Sequence, residues 1–130
     1  MVLVDTSVWV AHLRDGNKRL EALLHEGHVL CHPLIIGELV CGNLKNRGPI
    51  LRFLQQLPMA AGAGREEVLI FIERHALMGK GLGWIDTHLL ASAFLSNVPL
   101  WTLDKPLDRI ASSLEESKPG IRKPVSGIRS

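Results

Sequence analysis

The chain has 130 residues, 46% hydrophobic but only 5% aromatic, with 15 basic and 13 acidic residues for a formal charge of +2. That length supports one aliphatic core rather than two, and no apolar run approaches the roughly 18 residues of a membrane span. Cys31 and Cys41 fit neither a disulfide framework nor a zinc spacing, and Asp5 interrupts an apolar start that lacks a basic n-region, so the sequence reads as a cytoplasmic domain without a signal peptide.

In chain order, Val2–Val4 is a short apolar run expected to form a strand, followed by the helix-start residues Asp5, Thr6 and Ser7. Trp9, Val10 and Leu13 space a helix over 8–14, broken at Gly16 and Asn17. Leu20, Leu23 and Leu24 mark a second helix, ending near Gly27. Residues 28–31 read as a strand, and Pro33 at a favoured first-turn position opens a helix through Val40. Residues 42–49 read as a turn or frayed helix end, 50–57 as helix, and 58–64 as a short strand or loop.

The 3.6 period of Val68, Leu69, Ile72, His75 and Ala76 predicts a helix over 65–78, with a glycine-rich link at 79–83. Residues 86–95 form a strongly apolar and therefore central helix, 98–103 a strand, and Pro106 starts a helix with Leu107, Ile110, Ala111 and Leu114 on one face. Strands alternating with helices predict an α/β domain with a mostly parallel sheet over residues 1–116. Residues 117–130 hold Lys118, Arg122, Lys123 and Arg129 without an acid and read as a basic, flexible tail.

Four carboxylates stand in aliphatic company: Asp5 in VLVDTS, Glu38 in LIIGELV, Asp86 in GWIDTHLL and Asp104 in PLWTLDKP. Each Asp precedes a helical pattern and taken alone reads as a helix cap, although none has Glu or Gln three residues later to complete a capping box. Glu38 shares the helix stripe of Leu34 and Ile35, which places it toward the core, and no Lys or Arg is spaced to pair with it. Asp5 and Asp104 fall at the carboxyl ends of predicted strands, the edge where open parallel sheets bind ligands. Carboxylates converging there repel one another unless a hard divalent cation, Mg²⁺ or Mn²⁺, supplies the counter-charge. The chemistry such a site supports is phosphodiester hydrolysis.

These segments carry a resemblance. VLVDTSVWV, GELVCG, GLGWIDTHLLASAFL and LWTLDKPLDRIA, spread over residues 1–114, resemble the PIN-domain ribonucleases and specifically the VapC toxins of toxin–antitoxin pairs. The resemblance implies a three-layer α/β/α sandwich and a Mg²⁺- or Mn²⁺-dependent endoribonuclease restrained by a VapB-like antitoxin. It also implies that Asp5, Glu38, Asp86 and Asp104 form the metal-binding catalytic set. Thr6, Ser7 and Thr102 match its hydroxyl positions, and small domains of this kind pair into homodimers, for which apolar helix surface near Trp9 could serve. The chain departs from the pattern at its end, where residues 115–130 read as polar, basic and Pro- and Gly-containing, so the family's final short strand is not expected there.

Other features rank lower. His25, His28, Cys31 and His32 lie on alternating strand faces and do not suit zinc. The 79–83 glycines lack phosphate-loop spacing, and Trp9, Trp84 and Trp101 read as core or interface before base-stacking platforms. Lys80, Lys105 and Arg109 are candidates to line an RNA phosphate path, and Asp108 reads as a solvated helix residue. Competing functions are an aspartyl-phosphate enzyme, which Ser7 two residues after Asp5 disfavours, a non-catalytic RNA-binding module, and a PIN nuclease of RNA maturation that has no antitoxin.

Overall fold

A computed structural model describes residues 1–118, so the expected basic tail lies outside the described residues except for Ser117 and Lys118. The elements are β1 (Val2–Val4), α1 (Thr6–Asp15), α2 (Lys18–His25), β2 (Val29–Leu30), α3 (Pro33–Cys41) and α4 (Arg47–Gln56). There follow α5 (Arg65–Arg74), α6 (Trp84–Leu95), β3 (Leu100–Trp101) and α7 (Lys105–Ser117). Ser117 still belongs to α7, and Lys118 is anchored: its ammonium bonds the Phe94 carbonyl and lies 3.8 Å from the centroid of that ring.

The three strands are parallel in the order β2-β1-β3, and a bridge between Cys31 and Met59 extends the sheet outside β2. The chain therefore steps outward from β1 to β2 and to residue 59, then crosses back past β1 to β3. Strand order reverses between β1 and β3, and that reversal opens a crevice at the carboxyl ends of these two strands. The helices pack in two groups, α1–α3–α4 and α5–α6–α7, as right-handed crossovers in opposite directions require. This is the expected α/β architecture. The strands are only two or three residues long, so packing rather than ladder length holds the sheet. Leu3, Val4, Trp9, Ile35, Leu89 and Leu100 are all buried at its centre, each worth roughly 1.5–3 kcal/mol of apolar transfer.

Helix ends account for most differences from the sequence expectation. Helix α5 stops at Arg74 rather than 78. Ala76 adopts a left-handed φ of 52°, and Leu77 N–H reaches back to the Ile72 carbonyl at 3.0 Å with its side chain buried. This is a Schellman stop built on alanine, and it costs the left-handed strain that glycine avoids. Asn97 ends α6 in the same way, with Val98 N–H bonded to the Ala93 carbonyl at 3.1 Å. Helix α6 starts at Trp84, two residues earlier than expected, because Gly83 takes the extended cap position without a side chain to signal it. Helix α4 likewise starts early, at Arg47, and the 98–103 strand contracts to Leu100–Trp101. No helix among the described residues is long and apolar enough to cross a membrane.

Candidate active site

Asp5 ends β1 and occupies the cap position of α1, yet its side chain does not cap that helix. The residue is 5% exposed. Oδ2 instead accepts two hydroxyl bonds, from Thr102 Oγ1 at 2.7 Å and from Ser7 Oγ at 2.9 Å. Both hydroxyls are spoken for on their acceptor side as well: Thr102 Oγ1 takes the Asp104 N–H at 3.1 Å, and Ser7 Oγ takes the Leu103 N–H at 3.0 Å. The loop after β3 is thereby stitched to the acid that ends β1. With Oδ2 doubly bonded, Oδ1 of Asp5 is the oxygen left to act on something else.

Asp104 does cap its helix, Oδ2 accepting the Leu107 N–H at 3.0 Å, a contact worth about 1 kcal/mol. The cap reading thus holds for Asp104 alone among the three aspartates. Asp86 lies inside the first turn of α6, not before it. Glu38 is a correction: its side chain is exposed rather than turned to the core, and Oε1 accepts a 2.7 Å bond from Thr6 Oγ1. Helix α3 is apolar almost all round, so its periodicity could not distinguish the face on which its one charge sits.

The structure brings the four acids into one field. Burial raises the Asp86 carboxyl above its ordinary range; a backbone bond from Gly83 opposes this, while the charges of Asp5, Asp104 and Glu38 add to it. The ion pairs Arg14–Asp15, Glu26–His28 and Arg65–Glu66 lie elsewhere, so none of them offsets the cluster among the described residues. Uncompensated like charges at a strand-order reversal are the arrangement a bound cation relieves. Among the described residues, however, no three His, Cys, Asp or Glu side chains converge closely enough to enclose an ion directly. A cation held by these acids would therefore keep much of its water rather than sit in a tight all-protein cage.

Around the acids, Lys105 opens α7 directly after Asp104 and Arg109 follows one turn on, both exposed; Lys80 is exposed in the link between Gly79 and Gly81. Asp108 is half-buried in the first turn of α7, not solvated as expected. Trp9 and Trp101 are core residues, whereas Trp84 is exposed at the start of α6. The apolar surface near Trp9 consists of Val10 and Leu13, which with Leu39 and Leu44 line a cleft of about 210 Å³ with Glu38 beside it.

The sequence reading missed His32. Its ring is buried; Nδ1 accepts the Leu34 N–H at 3.0 Å and caps α3, and Nε2 meets Ser92 Oγ of α6 at 3.1 Å. The cap fixes the tautomer, since an accepting Nδ1 leaves the proton on Nε2 to be donated to Ser92. This bond ties the helix of Glu38 to the helix of Asp86. The available signal was Pro33, whose first-turn position makes residue 32 the cap.

A PIN domain family model matches residues 2–113. The chain is also 41% identical over 127 residues, 97% of its length and 100% of theirs, to two proteins called Ribonuclease VapC32, from Mycobacterium tuberculosis strains CDC 1551 / Oshkosh and ATCC 25618 / H37Rv. No solved structure matches it. With the parallel sheet and the acids at its reversal point, these similarities establish that the chain belongs to the PIN-domain family, as a VapC-type member.

Proposed function

We propose that the protein is a divalent-metal-dependent endoribonuclease that acts in the cytoplasm as the toxin of a toxin–antitoxin pair. The observation that carries this reading is the uncompensated set Asp5, Glu38, Asp86 and Asp104 at the β1–β3 crevice, in a chain whose relatives are called ribonucleases. Asp5 and Asp86 would be the principal holders of Mg²⁺ or Mn²⁺, with Glu38 and Asp104 completing the pocket. When bound, the ion supplies positive charge that lowers the pKa of water and stabilises charge on the phosphate in flight. The chain itself contributes orientation. Thr102 and Ser7 hold Oδ2 of Asp5 and fix the carboxylate's orientation, and Thr6 restrains Glu38. Lys80, Lys105 and Arg109 are placed to attract the RNA backbone.

The partner reading rests on the cleft beside Glu38. Its walls of Val10, Leu13, Leu39 and Leu44 suit an apolar antitoxin segment, and the acid beside it suits a basic side chain on that segment. A homodimer belongs to the same reading. The deciding experiment is RNA cleavage by wild type, Asp5→Asn and Asp86→Asn with added Mg²⁺, Mn²⁺ or chelator. Cleavage should need the metal and both carboxylates; full activity in either variant would overturn the mechanism.

A further inference from the structure

We infer that Trp84 is a stacking platform for an unpaired nucleobase of the RNA strand whose phosphate meets the acid cluster. The inference rests on the nuclease reading above and adds to it what the strand touches beyond the charges. The sequence holds three tryptophans. Trp9 and Trp101 are 1% and 4% exposed, as a core requires, while Trp84 is 45% exposed. An indole carries a large apolar face, and here the core does not bury it.

Its placement is specific. Trp84 is the first residue of α6 and shares that first turn with Asp86. Its ring meets the His88 ring at 4.6 Å and 86°, and a perpendicular neighbour covers at most one indole face. Behind His88, one further turn along the same stripe, Ser92 is bonded to His32, so the platform stands on a helix tied to α3. Leu103, 57% exposed, directly precedes Asp104, and its N–H is held by Ser7. An exposed indole thus lies two residues before Asp86 and an exposed aliphatic side chain directly before Asp104, and Lys80, Lys105 and Arg109 are exposed in the adjoining link and helix, available to phosphates. Carboxylates for a phosphate-bound cation, a free aromatic face and outlying cations together match a single strand with its bases turned outward. A duplex, whose bases stack on each other, offers nothing to the indole.

The structure also supplies the reporter, because Trp84 is the one tryptophan in contact with solvent. The test uses the full chain carrying Asp86→Asn, in metal-free buffer, with a fluorescein-labelled single-stranded RNA shown to stay intact by gel. Anisotropy measures binding, and tryptophan emission measures stacking. Single-stranded RNA should quench the emission, and duplex RNA should not. Trp84→Ala should weaken single-strand binding by about five- to a hundredfold, and Trp84→Phe, which keeps a ring, should retain most of the affinity while losing the quench. In the chain that keeps Asp86, Trp84→Ala should raise KM with kcat little changed.

RNA binding without quenching, or unchanged affinity in Trp84→Ala, overturns the platform while leaving the nuclease reading standing. Quenching and binding by a wild-type chain that never cleaves RNA would do the reverse. Emission that changes with protein concentration and not with RNA would place Trp84 in a contact between two copies of the chain and also overturn the inference.

Discussion

Two polar groups of helix α6 that face other elements of the fold are treated in opposite ways. Ser92, fully buried, is matched to His32: donor meets acceptor, and the opposite ring nitrogen of His32 caps α3. Asp86, two turns earlier on the same helix, is surrounded by Asp5, Asp104 and Glu38, and its main relief is one backbone bond from Gly83. A polar group retained for stability is satisfied by its neighbours, because an unsatisfied one costs about 1–3 kcal/mol. A polar group that its neighbours make worse is retained for another reason. The contrast separates architecture from function within one helix, and it can be broken by mutation at either end.

The largest expected effect is at Asp86. Asp86→Asn keeps the shape of the side chain and removes one charge from a repulsive set, so cleavage of RNA should fall by far more than the roughly ten- to hundredfold of a supporting group. Stability of the metal-free chain should be unchanged or higher. Urea denaturation read beside a cleavage assay checks both halves, and a variant that is inactive because it is unfolded would erase the contrast.

His32→Ala should do the opposite. It removes a helix cap, worth about 0.5–2 kcal/mol, and leaves the buried Ser92 hydroxyl without its partner, about 1–3 kcal/mol more. A loss of about 1.5–5 kcal/mol in urea denaturation is expected, with cleavage per folded molecule largely retained. Loss of activity without loss of stability would move His32 from the architecture to the site.

Thr102→Val stands between the two. It takes from Asp5 the shorter of its two hydroxyl bonds and from the Asp104 N–H its acceptor. Cleavage should drop about ten- to hundredfold, and Ser7→Ala, which removes the longer bond, should fall at the lower end. An affinity titration with Mn²⁺ shows whether the loss tracks metal binding, as a misoriented Asp5 predicts.

How much of this was legible in the sequence depended on whether a residue's surroundings left a local mark. Asp5 directly follows the apolar run of β1, so that strand end could be read from the sequence, whereas β3 ends at Trp101, three residues before Asp104, and only its approximate place was legible. Glu38 could not be placed, because an apolar helix has no polar stripe against which to judge one charge. Thr102 and Ser7 carry no pattern of their own; the Thr102 bond to Asp5 spans 97 residues and the Ser7 bond only 2, and only the family resemblance pointed to them. Trp84 looked like core because indoles usually are, and its exposure is a fact of packing that the helix period does not reveal. Ala76 hid the end of α5, since a left-handed stop is announced by glycine and here is held by the buried Leu77.

The smallest effect distinguishes the two ends of α6 by sign. Burial, and then the neighbouring His88, lower the His32 pKa below its ordinary value of 6.5. Between the folded and unfolded values the unfolded chain binds a proton that the folded chain does not. The contribution of His32 is therefore complete above pH 6.5 and is lost as pH falls toward the folded value. Asp86 runs the other way. Its carboxyl is raised from 3.8 by burial first, with the three neighbouring acids adding to it, so the folded chain holds a proton that the unfolded chain releases. That contribution is present below pH 3.8 and is lost as pH rises through the raised value. Neither slope can exceed about 1.4 kcal/mol per pH unit. In metal-free urea denaturation, Asp86→Asn should remove the decline on the alkaline side of 3.8, and His32→Ala the decline on the acid side of 6.5. An Asp86→Asn profile that superimposes on wild type would mean that the four carboxylates do not share a field, and the site would reduce to separate surface acids.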